Sequence, residues 1–385
     1  MIQFYLDCNR KMTTMAIDNK DKKVLNVPPL RFPEFTEEWE KYKLSEICSF
    51  FSGGTPSSSK KEYYDGNIPF IRSGELHEEQ TELFITEDGF KNSAAKMVEV
   101  GDLLLALYGA TSGDIAISKI NGAINQAILC IRTEQNKKFI ESIWRKHVGK
   151  LLQTYLQGGQ GNLSADIVKN ISFYFSRIEE QNKLAEFVSL LDERIATQNK
   201  IIEKYESLIK GIAHNVARNN KPNIRLSECL GCGSSTLQES NVCENGTYPV
   251  YGANGIVGYL DNYNTEKEAV YIIKDGSGVG TVSYVTGKCS ATGTLNILQA
   301  KEGYSLRYLY YLLKVFNFEP YKTGMAIPHI YFKDYGKAKI FCPSYSEQLR
   351  YAKLLSVIDD KLSVEQNILT SLCLQKQYLL RQMFI

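Results

Sequence analysis

The sequence of 385 residues lacks several features that would place it in large classes of protein. Its longest apolar runs, such as residues 101–110, fall far short of the roughly 18 residues that a membrane-spanning helix requires. Its first residues contain no apolar segment typical of a secretory signal peptide, so we expect a cytoplasmic protein. Nine cysteines, an odd number scattered along the chain, do not indicate a disulfide framework. Cys229 and Cys232 form a CxxC, but without a second pair or a nearby histidine a zinc site is not favoured.

Motifs for catalysis and cofactor binding are also missing. The four histidines form no recognisable nucleophile or metal arrangement. There is no Walker A loop, and the glycine-rich segments at residues 252–258 and 275–281 are not followed by a helix, as the dinucleotide-binding fingerprint requires. The Asn-Pro-Pro motif of adenine methyltransferases is absent, since the only proline pair lies at residues 28–29. We therefore expect no catalytic residues, no cofactor and no metal in this chain.

The composition is that of an ordinary globular protein, with 43% hydrophobic and 23% charged residues. The length predicts two or three domains. Because the formal net charge is only +2, any binding of nucleic acid must depend on local positive patches. Charge alone therefore neither supports nor excludes a DNA-binding function.

The strongest positive signal is a heptad pattern that occurs twice. In residues 178–212 apolar side chains alternate at spacings of four and three, which predicts one long helix with a coiled-coil seam. The pattern recurs in residues 346–380. Each seam position of this second copy lies the same number of residues after its counterpart in the first copy, and we call this number the constant offset. Two copies of one helix indicate an internal duplication. The predicted seam consists of Leu184, Val188, Leu191, Ile195, Gln198, Ile202, Tyr205, Ile209, Tyr351, Leu355, Ile358, Leu362, Glu365, Leu369, Leu372 and Leu379.

Gln198 and Glu365 are the polar residues in the middle of the two seams, and their separation in the sequence equals the constant offset. A polar pair inside an apolar seam is a common device for fixing the register of paired helices. Antiparallel packing in full register brings the two side chains together, and so does parallel packing. The alternative is that both point to solvent at the edge of the seam. We expect an antiparallel intramolecular coiled coil, which would relate the two halves by a pseudo-twofold axis.

Each heptad helix closes a mainly β segment. Short apolar strands alternate with Gly, Ser and Asn turns, and the tract at residues 269–285 repeats the outline of residues 103–117. We therefore expect an α+β fold with two tandem β domains. The predicted order is a flexible leader at 1–27, a first β domain at 28–175, a first helix at 176–216, a linker at 217–223, a second β domain at 224–343 and a second helix at 344–385.

These features resemble the specificity (S) subunit of type I restriction-modification systems. The resemblance covers the chain from about residue 27 onward. It rests on the order and duplication of SGGTPS, GDLLLALYGATSGDIAI, GGQGNLS, and EEQNKLAEFVSLLDERI with its repeat SEQLRYAKLLSVIDDKL. The proline usual before the Glu-Gln pair is present as Pro343 in the second half, whereas Ser176 takes its place in the first.

The resemblance implies a function and a set of partners. Each β domain would be a target-recognition domain that reads one half of a split sequence in double-stranded DNA, and the helices would fix the spacer. The chain would join two modification (methylase) subunits, on which ATP-dependent restriction subunits dock. S-adenosylmethionine, ATP and Mg²⁺ would belong to these partners. Two alternatives are a fused methylase, which the missing motifs oppose, and a duplicated module for a non-DNA ligand such as a glycan.

Candidate DNA contacts lie in the turns between strands, and each has an ordinary structural alternative. Arg72 could bind guanine or form a surface ion pair, and Asn125 with Gln126 could read adenine or cap a turn. The loop at residues 53–61 offers hydroxyls and lysines to phosphate, or is simply solvated. The predicted contacts are Thr55, Ser57, Ser58, Lys60, Arg72, Ser73, Asn125, Gln126, Gln160 and Asn162 in the first half, and Asn254, Lys274, Ser277, Thr292, Lys322 and His329 in the second.

Overall fold

The computed structural model describes residues 25–156, 162–324 and 327–385. The chain divides into two compact units. Unit 1 consists of the described residues up to Ala196 together with Thr370–Ile385, and unit 2 is Thr197–Leu369. Most of the predicted leader, residues 1–24, lies outside the described residues. None of the described helices combines the length and apolar character needed to cross a lipid bilayer.

Unit 1 is built around two four-stranded sheets. One sheet has the strand order β2-β9-β6-β7 and the other β4-β3-β8-β5, while β1 pairs with β10. The elements are β1 (Glu40–Lys43), α1 (Leu44–Ile47), β2 (Cys48–Ser52), β3 (Tyr64–Ile71), β4 (Phe84–Ile85), α2 (Glu87–Lys91), β5 (Lys96–Val98), β6 (Leu103–Ala106), β7 (Ile115–Ile117), β8 (Gly122–Ile124), β9 (Ile128–Thr133), α3 (Lys137–Leu156), α4 (Ala165–Asn170), β10 (Ser172–Phe175) and the start of α5 (Ile178–Arg218).

Strand β6 accounts for a continuous run of apolar residues in the sequence, because all four of its side chains are buried. Leu103 and Leu105 belong to the core that includes residues of α3 and α5. Leu104 and Ala106 belong to a second core, shared with the other sheet. Because successive side chains of a strand point to opposite faces and both faces are covered, no polar position alternates with the apolar ones.

Unit 2 repeats this plan. Its sheets have the orders β12-β18-β15-β16 and β14-β13-β17, and β11 pairs with β19. The elements are β11 (Ile224–Arg225), α6 (Leu226–Cys229), β12 (Leu230–Ser234), β13 (Tyr248–Gly252), β14 (Gly255–Leu260), β15 (Glu268–Ile273), β16 (Val282–Thr286), β17 (Ser290–Ala291), β18 (Leu295–Ala300), α7 (Leu306–Lys314), α8 (Phe332–Tyr335), β19 (Lys339–Ile340) and α9 (Tyr345–Met383).

The duplication extends to individual backbone hydrogen bonds. The N–H of Leu107 donates to the carbonyl of Ala127 at 2.8 Å, and the N–H of Lys274 donates to that of Thr294 at 2.9 Å. Both members of the second pair follow those of the first at the constant offset that relates the two seams. The offset found in the heptads therefore also describes the folded β domains.

The turn after β6 in unit 1 has the same backbone conformation as the turn after β15 in unit 2. Gly113 and Gly280 have φ values of +86° and +91°, a region that favours glycine. Their N–H groups donate to the carbonyls of Ala106 and Ile273 at 2.8 and 2.9 Å. A Cβ on Gly113 would lie only 2.8 Å from the side chain of Val148. Glycine is thus needed here for both conformation and space.

The long helices pair in antiparallel fashion within each unit. In unit 1, Val188 shares a core with Met383, and Asp192, further along α5, bonds to Lys376, which lies earlier in α9. In unit 2 the later residues of α5 likewise share a core with the earlier residues of α9. The predicted α+β fold with antiparallel paired helices is confirmed. Helix α5 has 41 residues, or roughly 60 Å at 1.5 Å per residue.

The two polar seam residues are bonded to each other. Gln198 is 8% exposed, and its Nε2 donates to the backbone carbonyl of Glu365 at 3.0 Å and also to the Glu365 carboxylate. The pair therefore lies in the seam between the two long helices, which is the first of the two alternatives left open by the sequence. The other predicted seam positions are buried or half-buried, and none is exposed.

Glu180, in the Glu-Gln pair of α5, binds the segment before the first strand to this helix. Arg31 donates to both carboxylate oxygens of Glu180 at 2.7 Å, and Nε1 of Trp39 donates to one of them at 3.1 Å. Because Glu180 is 2% exposed, this paired and hydrogen-bonded charge satisfies the requirement for burying a carboxylate. Nothing in the spacing of these residues indicated that they would be partners.

The glutamine of the Glu-Gln pair has the same function in both units. Nε2 of Gln181 donates to the carbonyl of Ser176 at 2.8 Å, and Nε2 of Gln348 donates to that of Pro343 at 2.9 Å. Each glutamine therefore closes the connection from the last strand into the long helix. This explains why the glutamine recurs at the constant offset.

Replacing Ser176 with proline is expected to stabilise unit 1. Ser176 is 9% exposed, and its hydroxyl has no hydrogen-bond partner among the described residues. Proline removes this hydroxyl, matches Pro343, and reduces the conformational freedom of the unfolded chain. We expect a gain of about 1 kcal/mol in the free energy of unfolding, measured by denaturant titration. Ser176→Ala, which removes only the hydroxyl, should gain less, and a destabilised proline variant would contradict the prediction.

Candidate nucleic-acid interface

In unit 1 the strands that carry the predicted contacts end on one side of the sheets. Strands β3 and β8 are parallel with Ile71 opposite Ile124, so Arg72 and Asn125 leave the sheet side by side. Strands β2 and β6 both end opposite the first residues of β9. We call the loops gathered there the loop end of unit 1; it comprises residues 53–60, 72–82, 107–114, 125–127 and 162–163.

Unit 2 has an equivalent loop end. Strands β13 and β17 are parallel with Tyr251 opposite Ala291, and β12 and β15 both end opposite the start of β18. The N–H of Ile330 donates to the carbonyl of Lys274 at 2.9 Å, which adds the chain near residue 330 to this group. The loop end of unit 2 comprises residues 235–241, 253–254, 274–281, 292–294, 322–324 and 327–330.

Thr55, Asn125 and Gln126 form one cluster at the loop end of unit 1. The Thr55 hydroxyl donates to Oε1 of Gln126 at 2.6 Å. Asn125 is half-buried, and its Oδ1 accepts the N–H of Ala127 at 3.0 Å. Asn125 therefore caps its own turn, which was the structural alternative, whereas Gln126 is exposed and extends from the surface.

Arg72 is held by carboxylates. Its Nε and Nη2 donate to Glu75 at 3.2 and 2.6 Å, and Nη2 also donates to Glu82 at 2.9 Å. Burial by itself would raise the pKa of Glu75, but the hydrogen bonds, first those from Arg72, outweigh it and lower that pKa to about 2. Arg72 would therefore have to exchange these partners before it could bind a guanine.

The other predicted contacts of unit 1 occupy the surface. Lys60 donates to the hydroxyl of Tyr63 at 2.9 Å and lies 4.9 Å from the centre of that ring, and Ser57 bonds to Ser59 at 2.8 Å. Both contacts are local, and Lys60 and the two serines are exposed. Among the predicted residues, those with exposed side chains are Ser57, Ser58, Lys60 and Asn162, and Ser73 is half-buried. Gln160 lies outside the described residues.

The predicted contacts of unit 2 differ in burial and in hydrogen bonding. Thr292 is 1% exposed, and its hydroxyl bonds to that of Thr294 at 2.8 Å, so its side chain lies in the core. Lys322 donates to Glu319 at 2.6 Å. Of the remaining predicted residues, Asn254 and Ser277 are exposed, whereas Lys274 and His329 are half-buried.

Each loop end carries a histidine bonded to an aspartate. Nε2 of His77 lies 2.8 Å from Oδ2 of Asp114, and Nδ1 of His329 lies 2.7 Å from Oδ1 of Asp275. Such a partner fixes the orientation of the ring and selects its tautomer, leaving the other ring nitrogen for a ligand. Sequence reasoning missed His77, Asp114 and Asp275, because nothing in their spacing indicates that they meet.

Equivalent backbone positions in the two loop ends carry different side chains. The hydrogen bond from Leu163 to the carbonyl of Leu107 corresponds to that from Ile330 to Lys274. The neighbouring position is asparagine in unit 1, at Asn162, and histidine in unit 2. The two loop ends thus share a scaffold but offer different hydrogen-bonding groups. Among the described residues, no group of three or more His, Cys, Asp or Glu side chains is placed to hold a metal ion.

Comparison with known proteins gives consistent matches. A family model described as the type I restriction modification DNA specificity domain matches residues 36–207 and 226–373. The type I restriction enzyme EcoprrI specificity subunit of Escherichia coli is 22% identical over 363 residues, which cover 84% of this chain and 87% of that protein. The MjaVIII specificity subunit of Methanocaldococcus jannaschii is 24% identical over 198 residues, covering 50% of this chain and only 44% of that protein. The crystal structure of the S subunit of a type I restriction-modification system from M. genitalium matches with a TM-score of 0.63 at 19% identity, covering 93% of this chain and 99% of that one.

Proposed function

Because the chain belongs to the family of type I restriction-modification DNA specificity proteins, we propose that it selects the DNA target for such a system. Each unit reads one half of a split sequence in double-stranded DNA through its loop end. The observation that carries the proposal is the shared backbone of the two loop ends combined with their different side chains. Contacts to DNA phosphates orient a protein on DNA, whereas contacts of side chains with base edges read sequence, so one scaffold with different side chains can serve two unlike half-sites.

The long helices provide the fixed distance between the half-sites. One turn of B-DNA is about 34–36 Å, and helix α5 is long enough to hold two recognition modules in successive major grooves. Lengthening or shortening the chain near residues 213–223 should change the gap and leave the half-sites unchanged. Altered half-sites with an unchanged gap would contradict this assignment.

The proposal also assigns partners to the helices. In unit 2, α9 exposes a row of apolar side chains, each one residue before a seam position, beside the charged outer face. Apolar rows of this kind on a helix are typical of protein-binding surfaces. We propose that they contribute to binding two methylase subunits, onto which restriction subunits dock. The residues, with their exposed fractions, are Leu354 (50%), Val357 (49%), Val364 (56%) and Ile368 (37%).

The chain itself is proposed to be a non-catalytic subunit that acts in the cytoplasm. S-adenosylmethionine, ATP and Mg²⁺ would be bound by the partner subunits. This division of labour agrees with the sequence, which contains neither a Walker A loop nor the methylase motif.

The decisive experiment is single-molecule mapping of methylated adenines in DNA from cells that express the chain with its methylase. A new split motif with two defined half-sites and one gap length is expected only when both proteins are present. Cells that express either protein alone provide the control. An assembled complex that leaves no new methylation would overturn the proposal.

The salt dependence of binding distinguishes DNA recognition from the alternative of a non-DNA ligand such as a glycan. Binding to DNA releases counterions, so the affinity of the complex for DNA should fall steeply between about 50 and 200 mM salt. Affinity for a neutral glycan would change little over this range. A weak, salt-independent interaction with DNA would therefore favour the alternative.

A further inference from the structure

The repeated motif places an aspartate at the same position of each long helix, at Asp192 on α5 and at Asp359, its counterpart in the duplication, on α9. In unit 1, Nζ of Lys138 on α3 lies 2.8 Å from Asp192. Lys376 on α9 donates to the same carboxylate. Asp192 therefore connects the helix of the β domain to both long helices of its unit.

Asp359 makes the corresponding connection in unit 2 with different chemistry. The hydroxyl of Tyr311 on α7 donates to Asp359 at 3.2 Å. One turn away, Arg307 of α7 donates to the hydroxyl of Ser356 on α9 at 3.0 Å. In both units, then, the repeated aspartate faces the helix of the β domain and binds it through a polar side chain.

These polar contacts are partly shielded from water. The side chains of Asp192 and Lys138 are 32% and 22% exposed. Burial alone would raise the pKa of Asp192, but hydrogen bonds from Lys138 and Lys376 outweigh it and lower that pKa. Lys138 also pairs with Glu141 at 2.8 Å. Each charge in this group thus has a partner of opposite sign, as a half-buried charge requires.

Apart from the bonds that Asn136, just before α3, donates to Gln181 and Asn182, the remaining contact between α3 and α5 is apolar. Phe139 and Ile143 of α3 share a core with Leu184 and Val188 of α5. Apolar burial holds the helices together but is not directional, so it does not by itself select one register. A hydrogen-bonded ion pair has a defined geometry and can select the register among similar apolar packings.

We propose that Asp192 and Asp359 are positioning residues that fix the register of each β domain on the long helix and thereby the number of base pairs between the half-sites. The inference rests on the proposed function. A slip of one helical turn moves a domain by about 5.4 Å, which exceeds the roughly 3.4 Å between neighbouring base pairs. A loosened register would therefore let the complex accept a neighbouring gap length.

The test uses the full chain assembled with its methylase and a DNA library in which only the gap between the half-sites varies. Wild type should methylate one gap length. Asp192→Asn should raise methylation at gaps one base pair longer or shorter by about tenfold, the change expected from losing one charge-assisted hydrogen bond, with half-sites unchanged. Glu193→Gln and Asp360→Asn, at exposed neighbouring positions, should keep wild-type gap selectivity.

The outcomes separate positioning from simple stability. If Asp192→Asn does not assemble, Asp359→Ala decides the question, because it removes the acceptor of the Tyr311 hydrogen bond and leaves no lysine without its partner. Unchanged gap selectivity in the assembled variants, even with a lower melting temperature, would overturn the inference. A wild-type complex that methylates no split site would instead overturn the proposed function, and this inference with it.

Discussion

Phe384→Ala is expected to lower the free energy of unfolding of unit 1 by about 3–5 kcal/mol, the usual cost of removing a buried aromatic ring. Phe384 follows the end of α9 and is 1% exposed. Its ring centre lies 5.4 Å from that of Phe139 and 6.4 Å from that of Trp39. The last residues of the chain thus complete the core of the first β domain. Hydrogen exchange of the core amides of unit 1, measured in the full chain, would report the loss.

The matched control for this prediction is Tyr378→Ala. Tyr378 is also an aromatic residue near the end of α9, but it is 59% exposed. Its replacement should change the stability by no more than about 0.5 kcal/mol. Similar effects of the two substitutions would show that the terminal ring does not belong to the core of unit 1.

Leu191→Pro is expected to abolish assembly with the methylase. Leu191 is 5% exposed in the seam of α5. Proline in a helix interior removes a backbone hydrogen bond and clashes with the preceding turn, at a cost of about 3 kcal/mol or more, and the lost leucine leaves a cavity in the seam. Size-exclusion chromatography with light scattering on the co-expressed proteins would show the chain separate from the methylase.

A proline at the first position of a long helix provides the control. Tyr345 begins α9 and is 51% exposed. Proline is well tolerated there because the N–H it removes has no partner within the helix. Tyr345→Pro should therefore assemble like wild type. An intact complex formed by Leu191→Pro would show that the helix pairing is not needed for partner binding.

The heptad seam could be read from the sequence because its cause is local. Residues three and four apart share one face of a helix, so the apolar spacing in residues 178–212 and 346–380 identified the buried faces directly. The bond between Gln198 and Glu365 could be anticipated for the same reason, since each is the middle position of its seam. The choice between this bond and two solvent-facing side chains required the folded structure.

The candidate interface was less predictable. The turns that carry the predicted residues do gather at one end of each unit, because parallel and antiparallel pairing places several strand ends together. Whether each side chain is free to contact DNA depends on partners that are remote in sequence or on its burial. Arg72 is bound to Glu82, Thr292 is buried, and His77 meets Asp114 on a different loop. No local pattern encodes such contacts.

The sequence by itself determined the duplication, the two long helices and their buried faces, and the division into β segments. These follow from periodicity and from the constant offset between the two copies, which are properties of neighbouring or repeated positions. Only the tertiary structure decided that Phe384 completes the core of the first β domain, that Glu180 holds Arg31, and that Asp192 joins three helices. These contacts join residues that are remote in sequence or on separate helices, where side-chain geometry decides which groups meet.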